Sequence, residues 1–226
     1  MTHPPSHNSL LQQLQRLAPE LSPACERVSL KAGAWPDELA EEDSFMYFPD
    51  ESLLGLTASS TAQQGVSLAL LGCHHVWSPQ RARSIGLQAQ VLLPGHALRV
   101  PEVLLRGAGP HLATWWLQEA ASAQALLAQM AQMVFCVKHH QVEQSLASWL
   151  LLAQRHSQGM ALHTPELPWR AWLGWTPEVW QRAWDTLESQ QAVALVRSDE
   201  GGVIQLKDLT LLSNLACRCH QTHQLD

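Results

Sequence analysis

The sequence predicts an α+β fold in three parts: an N-terminal β-roll of the jelly-roll type, one long helix, and a C-terminal winged helix-turn-helix. Three observations carry this reading. Up to about Pro101 the chain alternates short β-like runs with turn residues. From about His111 to Val137 it contains neither proline nor glycine, and apolar positions recur three or four residues apart. Between Thr176 and Leu206 a helix with a strong start signal is followed directly by a hairpin pattern. The boundaries expected from these changes of pattern are 1–110 for the roll, 111–138 for the long helix and 139–226 for the C-terminal unit.

A short helix is expected at Ser9 to Leu17, ending near Pro19. Strands are expected at Arg27 to Leu30, Ser44 to Phe48, Leu53 to Thr57, Val66 to Leu71, Ile85 to Leu93 and Ala97 to Val100. In the long helix, Leu117, Ala120, Gln124, Leu127, Ala131 and Val134 form a near-heptad stripe, which more often marks a seam with another helix than a lone surface helix. The economical reading is a homodimer with Leu117, Gln124, Leu127, Ala131 and Val134 at its interface; the alternative packs the stripe on the chain's own β-domain. A second helix is expected from Gln141 to Arg155, with Val142, Leu146, Trp149, Leu150 and Ala153 on one face and Gly159 as its breaker. Between Thr164 and Gly174 the helix must be short, because Pro168 lacks a backbone N–H. Thr176 then supplies an N-cap oxygen, Pro177 occupies the position where a missing N–H costs nothing, and Glu178 favours the positive end of the helix dipole. Val193 to Val196 and Val203 to Leu206, joined through Asp199-Glu200-Gly201-Gly202, make the wing.

With 226 residues, 46% of them hydrophobic, the chain can bury a substantial core. No apolar run in the sequence reaches the roughly 18 residues of a membrane span, and the N-terminus lacks the pattern of a secretion signal. A cytoplasmic location without membrane contact is therefore expected. Five cysteines without CxxC spacing read as reduced thiols. No Ser-His-Asp order, metal triad or phosphate loop is apparent, so no catalytic residue is assigned and an enzyme is not expected. The net charge of −6 sits poorly with nucleic-acid binding, which draws on clustered Lys and Arg. From His163 to Lys207, Arg170, Arg182, Arg197 and Lys207 face Glu166, Glu178, Asp185, Glu188, Asp199 and Glu200.

The order of parts, together with Tyr47-Phe48-Pro49, the segment Pro94 to Pro101 (PGHALRVP) and the segment His140 to Leu151 (HQVEQSLASWLL), resembles the Crp/Fnr family of bacterial transcription regulators. The match covers nearly the whole chain and looks like a branch that does not bind cyclic AMP. The resemblance implies a cyclic-nucleotide-binding-like roll, a dimer helix and DNA as partner. In cyclic-nucleotide binders of the family a Gly-Glu pair and a later Arg-Ser pair hold the ribose and phosphate. Gly72 and Arg83-Ser84 fall at the matching spacing, but Cys73 replaces the carboxylate, and the adenine-facing pair falls on Met130 and Ala131. Arg83 and Ser84 are thus the only effector candidates, and the effector itself is not readable.

No cofactor is assigned. The clustered cysteines of an iron–sulfur sensor are absent, and His74, His75 and His96 read as ordinary side chains rather than haem ligands. The tail Cys217-Arg218-Cys219-His220 has soft ligands but not zinc-finger spacing, so no metal is assigned and the tail reads as a frayed helix end. On the recognition helix the family's Arg-Glu and following Arg map onto Pro177, Glu178 and Arg182. The residues expected to meet DNA are therefore Glu178, Gln181, Arg182 and, on the wing, Arg197. A second reading is a relative that has lost DNA binding and acts as a protein-interaction module, pairing with another regulator through the dimer helix. Of Trp169, Trp172, Trp175, Trp180 and Trp184 most read as core, and one or two exposed rings would make a Trp-rich face for a protein partner.

Overall fold

The structure, a computed structural model, describes residues 6–36, 44–61, 64–157, 163–198 and 201–219. Helix α1 (Ser9–Leu17) starts where the Asn8 side chain accepts from the Leu11 N–H, and it buries Leu10, Leu11 and Leu14. A 3-10 turn (Pro19–Ala24) leads into β1 (Glu26–Leu30), β2 (Gly33–Ala34), β3 (Phe45–Pro49), β4 (Leu53–Thr61) and β5 (Gln64–Leu71). Helix α2 (Pro79–Ser84), strands β6 (Leu87–Leu93) and β7 (Gly95–Pro101), and helix α3 (Glu102–Gly107) complete the roll. The expected strands are all present; the two short helices are not apparent from hydrophobic periodicity because each makes little more than one turn.

The strands form two antiparallel sheets, β1-β7-β3 and β2-β6-β4-β5. Between them lie Leu30, Tyr47, Leu54, Leu56, Leu71 and Val91. Strand alternation sends the neighbouring residues to the opposite side. On the four-stranded sheet these neighbours, Leu53, Leu70 and Leu92, are fully buried rather than solvated. That sheet is covered on both faces, which explains why its strands read as continuous apolar runs instead of alternating ones.

Helix α4 (Ala113–His139) follows a short 3-10 turn and runs along the roll. Contrary to the expectation that no run reaches membrane-span length, the helical stretch Gly109–His139 is long and apolar enough to cross a membrane by length and composition, its most apolar 18-residue window having a mean hydropathy of 1.4. Three of its polar side chains, however, bond to the roll. The Trp115 Nε1–H donates to the Leu10 carbonyl at 2.8 Å, Ser122 Oγ donates to the His74 carbonyl at 2.9 Å, and buried Gln129 accepts from the Leu70 N–H at 2.7 Å. Trp115, Gln129, Met133 and Cys136 mark the side turned inward.

Helix α5 (Val142–His156) opens with a capping box between Gln141 and Gln144. The C-terminal unit continues with β8 (His163–Pro165), α6 (Glu166–Leu173), α7 (Pro177–Ser189), β9 (Val193–Ser198), β10 (Gly201–Leu206) and α8 (Leu209–Leu215). As its proline requires, α6 is short, with Pro168 confined to the first turn where an absent N–H is tolerated. The wing has three strands, ordered β8-β10-β9. The third strand escapes sequence reading because it is three residues long and contains Pro165. The expected turn residues Asp199 and Glu200 lie outside the described residues.

Candidate nucleic-acid interface

Helices α6 and α7 are joined by Gly174-Trp175-Thr176. Gly174 adopts the left-handed conformation (φ 64°, ψ 20°) that ends α6 without a Cβ penalty, and Thr176 caps α7 by accepting from the Val179 N–H. This is a helix-turn-helix followed by a wing. One side of α7 is core: Trp180, Ala183, Trp184 and Leu187 are all buried. Its opposite side presents Glu178, Gln181, Arg182 and Asp185 to solvent.

The exposed side chains are already engaged with one another. Gln181 Nε2 donates to Asp185 Oδ1 at 2.6 Å, and Arg182 Nε lies 3.3 Å from Glu143 Oε1 on α5. Hydrogen bonds from its own backbone and from Thr176 hold the Glu178 carboxyl below the usual range, so it is an acceptor at neutral pH. Arg197 lies on β9 and its side chain is outside those described. The structure therefore groups three of the four expected readers on one helix face, with two of them held by acidic neighbours.

The tryptophans lie in the core, as expected for most of them, and make no Trp-rich contact face. Trp169, Trp172, Trp180 and Trp184 are at most 2% exposed, and Trp175 is half-buried. Trp169 and Trp172 are interior because α6 lies against the outer face of the four-stranded sheet, whereas Trp180 and Trp184 face α5 from α7. Trp172 Nε1 donates to the Leu56 carbonyl at 3.1 Å, Trp169 Nε1 donates to Thr164 Oγ1 at 3.0 Å, and Gln90 Nε2 donates to the Pro168 carbonyl at 3.1 Å. A Cβ on Gly55 would stand 2.6 Å from Trp172 Nε1, so the indole needs a glycine on β4 beneath it.

The expected effector pair does not form a cradle either. Arg83 and Ser84 are exposed at the end of α2, and Ser84 Oγ donates to the Arg81 carbonyl at 2.7 Å. In the loop from Gly72 to Trp77, four of the six N–H groups have partners within the protein. Gly72 donates to His75 Nδ1, Cys73 to the His156 carbonyl, His75 to the Gly72 carbonyl and Trp77 to the Tyr47 carbonyl. Those four donors are not turned toward a phosphate. A small cleft of about 40 Å³ between this loop and α4 is lined by His75, Val76, Glu119, Ser122 and Leu126, among others, and not by Arg83 or Ser84.

The stripe of α4 stands clear of the chain's own core. Leu117 is 72%, Leu127 64% and Val134 56% exposed, and Gln124 and Ala131 are exposed between them. The tail is not frayed at Cys217, which is 3% exposed and sits with Cys219 against the end of α4, beside Cys136 and His140. Sequence spacing misses this cluster because its two halves lie some eighty positions apart.

Neither a protein-family model nor a curated protein matches the chain. Solved structures do. FixK2 from Bradyrhizobium japonicum superposes with a TM-score of 0.59 at 16% identity, covering 85% of this chain and 98% of that one. TTHB099, a CRP-family transcriptional regulator from Thermus thermophilus, gives 0.57 at 13% identity, covering 84% and 96%. TTHA1359, a CRP/FNR-family transcriptional regulator from the same organism, gives 0.52 at 18% identity, covering 84% and 98%. Roll, long helix, helix-turn-helix and wing together thus amount to the fold of the Crp/Fnr transcription regulators.

Proposed function

We propose that the chain is a homodimeric transcription regulator that meets DNA through α7 and the wing. In this reading residues 1–110 sense, 111–138 dimerise and 139–226 read. The observation that carries it is the pairing of two surfaces: an apolar stripe on α4 left uncovered by the chain's own core, and a recognition-helix face whose polar side chains point outward from a fully buried opposite side. The solved structures of this fold include transcription regulators, which supports the same reading.

The dimer follows from the stripe. Burying Leu117, Leu127 and Val134 against a second copy removes apolar surface worth about 1.5–3 kcal/mol for each large side chain fully covered. Leu127→Glu places a charge in that seam and is expected to convert the protein to monomers on size-exclusion chromatography with light scattering. An unchanged mass rejects the seam.

DNA reading is expected to be weak and strongly salt-dependent. Arg182 must leave Glu143 to reach a base or phosphate, and Glu178 opposes phosphate while still able to accept from a cytosine amine. Binding to the gene's own upstream DNA across a salt series is expected to weaken as salt rises, with Arg182→Ala lowering the log–log slope by about 1 if the contact is to phosphate. No binding at low salt overturns the DNA reading while leaving the dimer intact.

A further inference from the structure

Four metal-ligating side chains converge where the long helix ends, and the reading of DNA uses none of them. Cys136 lies in the last turn of α4 and His140 at its C-cap, so a spacing of four stacks them on one side. After α8, Ala216 takes up extended backbone (φ −73°, ψ 156°) and carries Cys217 and Cys219 back across that end. Cys136 Sγ lies 3.7 Å from Cys217 Sγ, and Cys219 Sγ lies 3.4 Å from His140 Nε2. All four donor atoms lie within 4.8 Å of one another.

These separations are those of ligands around one small ion. A tetrahedron with Zn–S of about 2.3 Å and Zn–N of about 2.0–2.1 Å has edges of about 3.8 Å between sulfurs and about 3.6 Å between sulfur and nitrogen. A disulfide would hold the Cys136 and Cys217 sulfurs at about 2.05 Å instead. Outer-shell donors are in place as well: Ser148 Oγ on α5 lies 3.1 Å from Cys217 Sγ, and Gln132 Nε2 donates to Cys136 Sγ at 3.9 Å. Cys136 and Cys217 are buried while Cys219 and His140 are half-buried, which gives an ion a way in. Three thiols and one imidazole suit a borderline-soft divalent ion and leave no open position for chemistry.

We propose that Cys136, His140, Cys217 and Cys219 form a tetrahedral Cys3His zinc site that fastens the C-terminal tail to the end of the long helix. Because α5 contributes Ser148 to the outer shell, the ion ties together α4, α5 and the segment after α8, the junction between the roll's helix and the helix-turn-helix unit.

The test uses the untagged full chain, purified under reducing conditions and titrated with zinc and separately with cobalt. Expected results are about one ion per chain by elemental analysis and, with cobalt, the intense visible bands and thiolate charge-transfer absorption of a tetrahedral sulfur-rich site. Cys219→Ser, at a half-buried position, is expected to weaken zinc binding by at least about 100-fold, beyond the 10–100-fold that losing an outer-shell partner costs. His139→Ala, an exposed neighbour outside the set, is expected to bind as the parent does. Three results overturn the site: no zinc taken up by the reduced parent protein, an octahedral cobalt spectrum, or Cys219→Ser binding as tightly as the parent. The cobalt spectrum of the parent decides the matter even if a cysteine variant fails to fold.

Discussion

Trp172→Ala is expected to cost about 3–5 kcal/mol, the range for truncating a large, well-packed aromatic side chain. The indole is 2% exposed and meets Trp149 edge-on at 4.7 Å and Trp169 at 5.8 Å. Its Nε1–H reaches the Leu56 carbonyl across the boundary between α6 and β4, and Ser67 Oγ donates to its own carbonyl. Alanine leaves a cavity, and Gly55, which has no side chain, cannot fill it. The urea midpoint is expected to fall with little change in slope, and protease sensitivity between α5 and α6 to rise. Trp172→Phe keeps a ring but not the donor and is expected to lose less. A Trp172→Ala loss below about 1 kcal/mol is incompatible with the packing described.

Stability is expected to fall by up to about 3 kcal/mol as pH drops from about 6.5 to about 4, with His75 as the principal source. Burial depresses its pKa to about 4, the nearby His74 adds to the depression, and the Gly72 N–H opposes it only partly. His75 Nδ1 accepts that N–H at 3.3 Å, and the ring meets His156 edge-on at 4.7 Å, so the neutral form fits and the cation does not. Between the two pKa values the unfolded chain binds the extra proton, so stability rises with pH across that window and is fully present only above the unfolded pKa of about 6.5. Chemical denaturation from pH 7.5 to 4.5 measures this slope. His75→Phe is expected to flatten it even if absolute stability drops; an unchanged slope assigns the effect elsewhere.

Much of the fold is legible in the chain because local signals and tertiary packing agree. Thr176 and Pro177 start α7 where their chemistry directs, the absence of proline and glycine leaves α4 unbroken, and the expected strands of the roll all appear. The α4 stripe keeps to one side of its helix as the period requires, but that this side faces away from the chain's own core is read only from the fold. What escapes sequence reading is contact between distant segments. The crowding of indoles reads mainly as core, but nothing local announces that Trp169 and Trp172 close over β4 and β6. The engagement of Arg182 by Glu143 spans two helices and has no sequence period. Likewise Cys217 and Cys219 look like a loose tail until the fold sets them beside Cys136 and His140. The loop after β5 is only half legible: Cys73 in place of a carboxylate is visible, whereas the partners of the Gly72, Cys73, His75 and Trp77 N–H groups are not.

The two-sided burial of the four-stranded sheet sets where this molecule can be cut and recombined. Leu53, Leu70 and Leu92 belong to the roll by chain position but to the tryptophan cluster by packing. A helix-turn-helix unit transplanted at residue 139 onto another roll would set Trp169 and Trp172 against foreign side chains, and any residue larger than glycine at position 55 would collide with the indole. A working chimera must therefore carry the outward-facing residues of β4, β5 and β6 along with the helices they support, so that the seam for protein engineering follows the sheet's outer face and not the break in the chain.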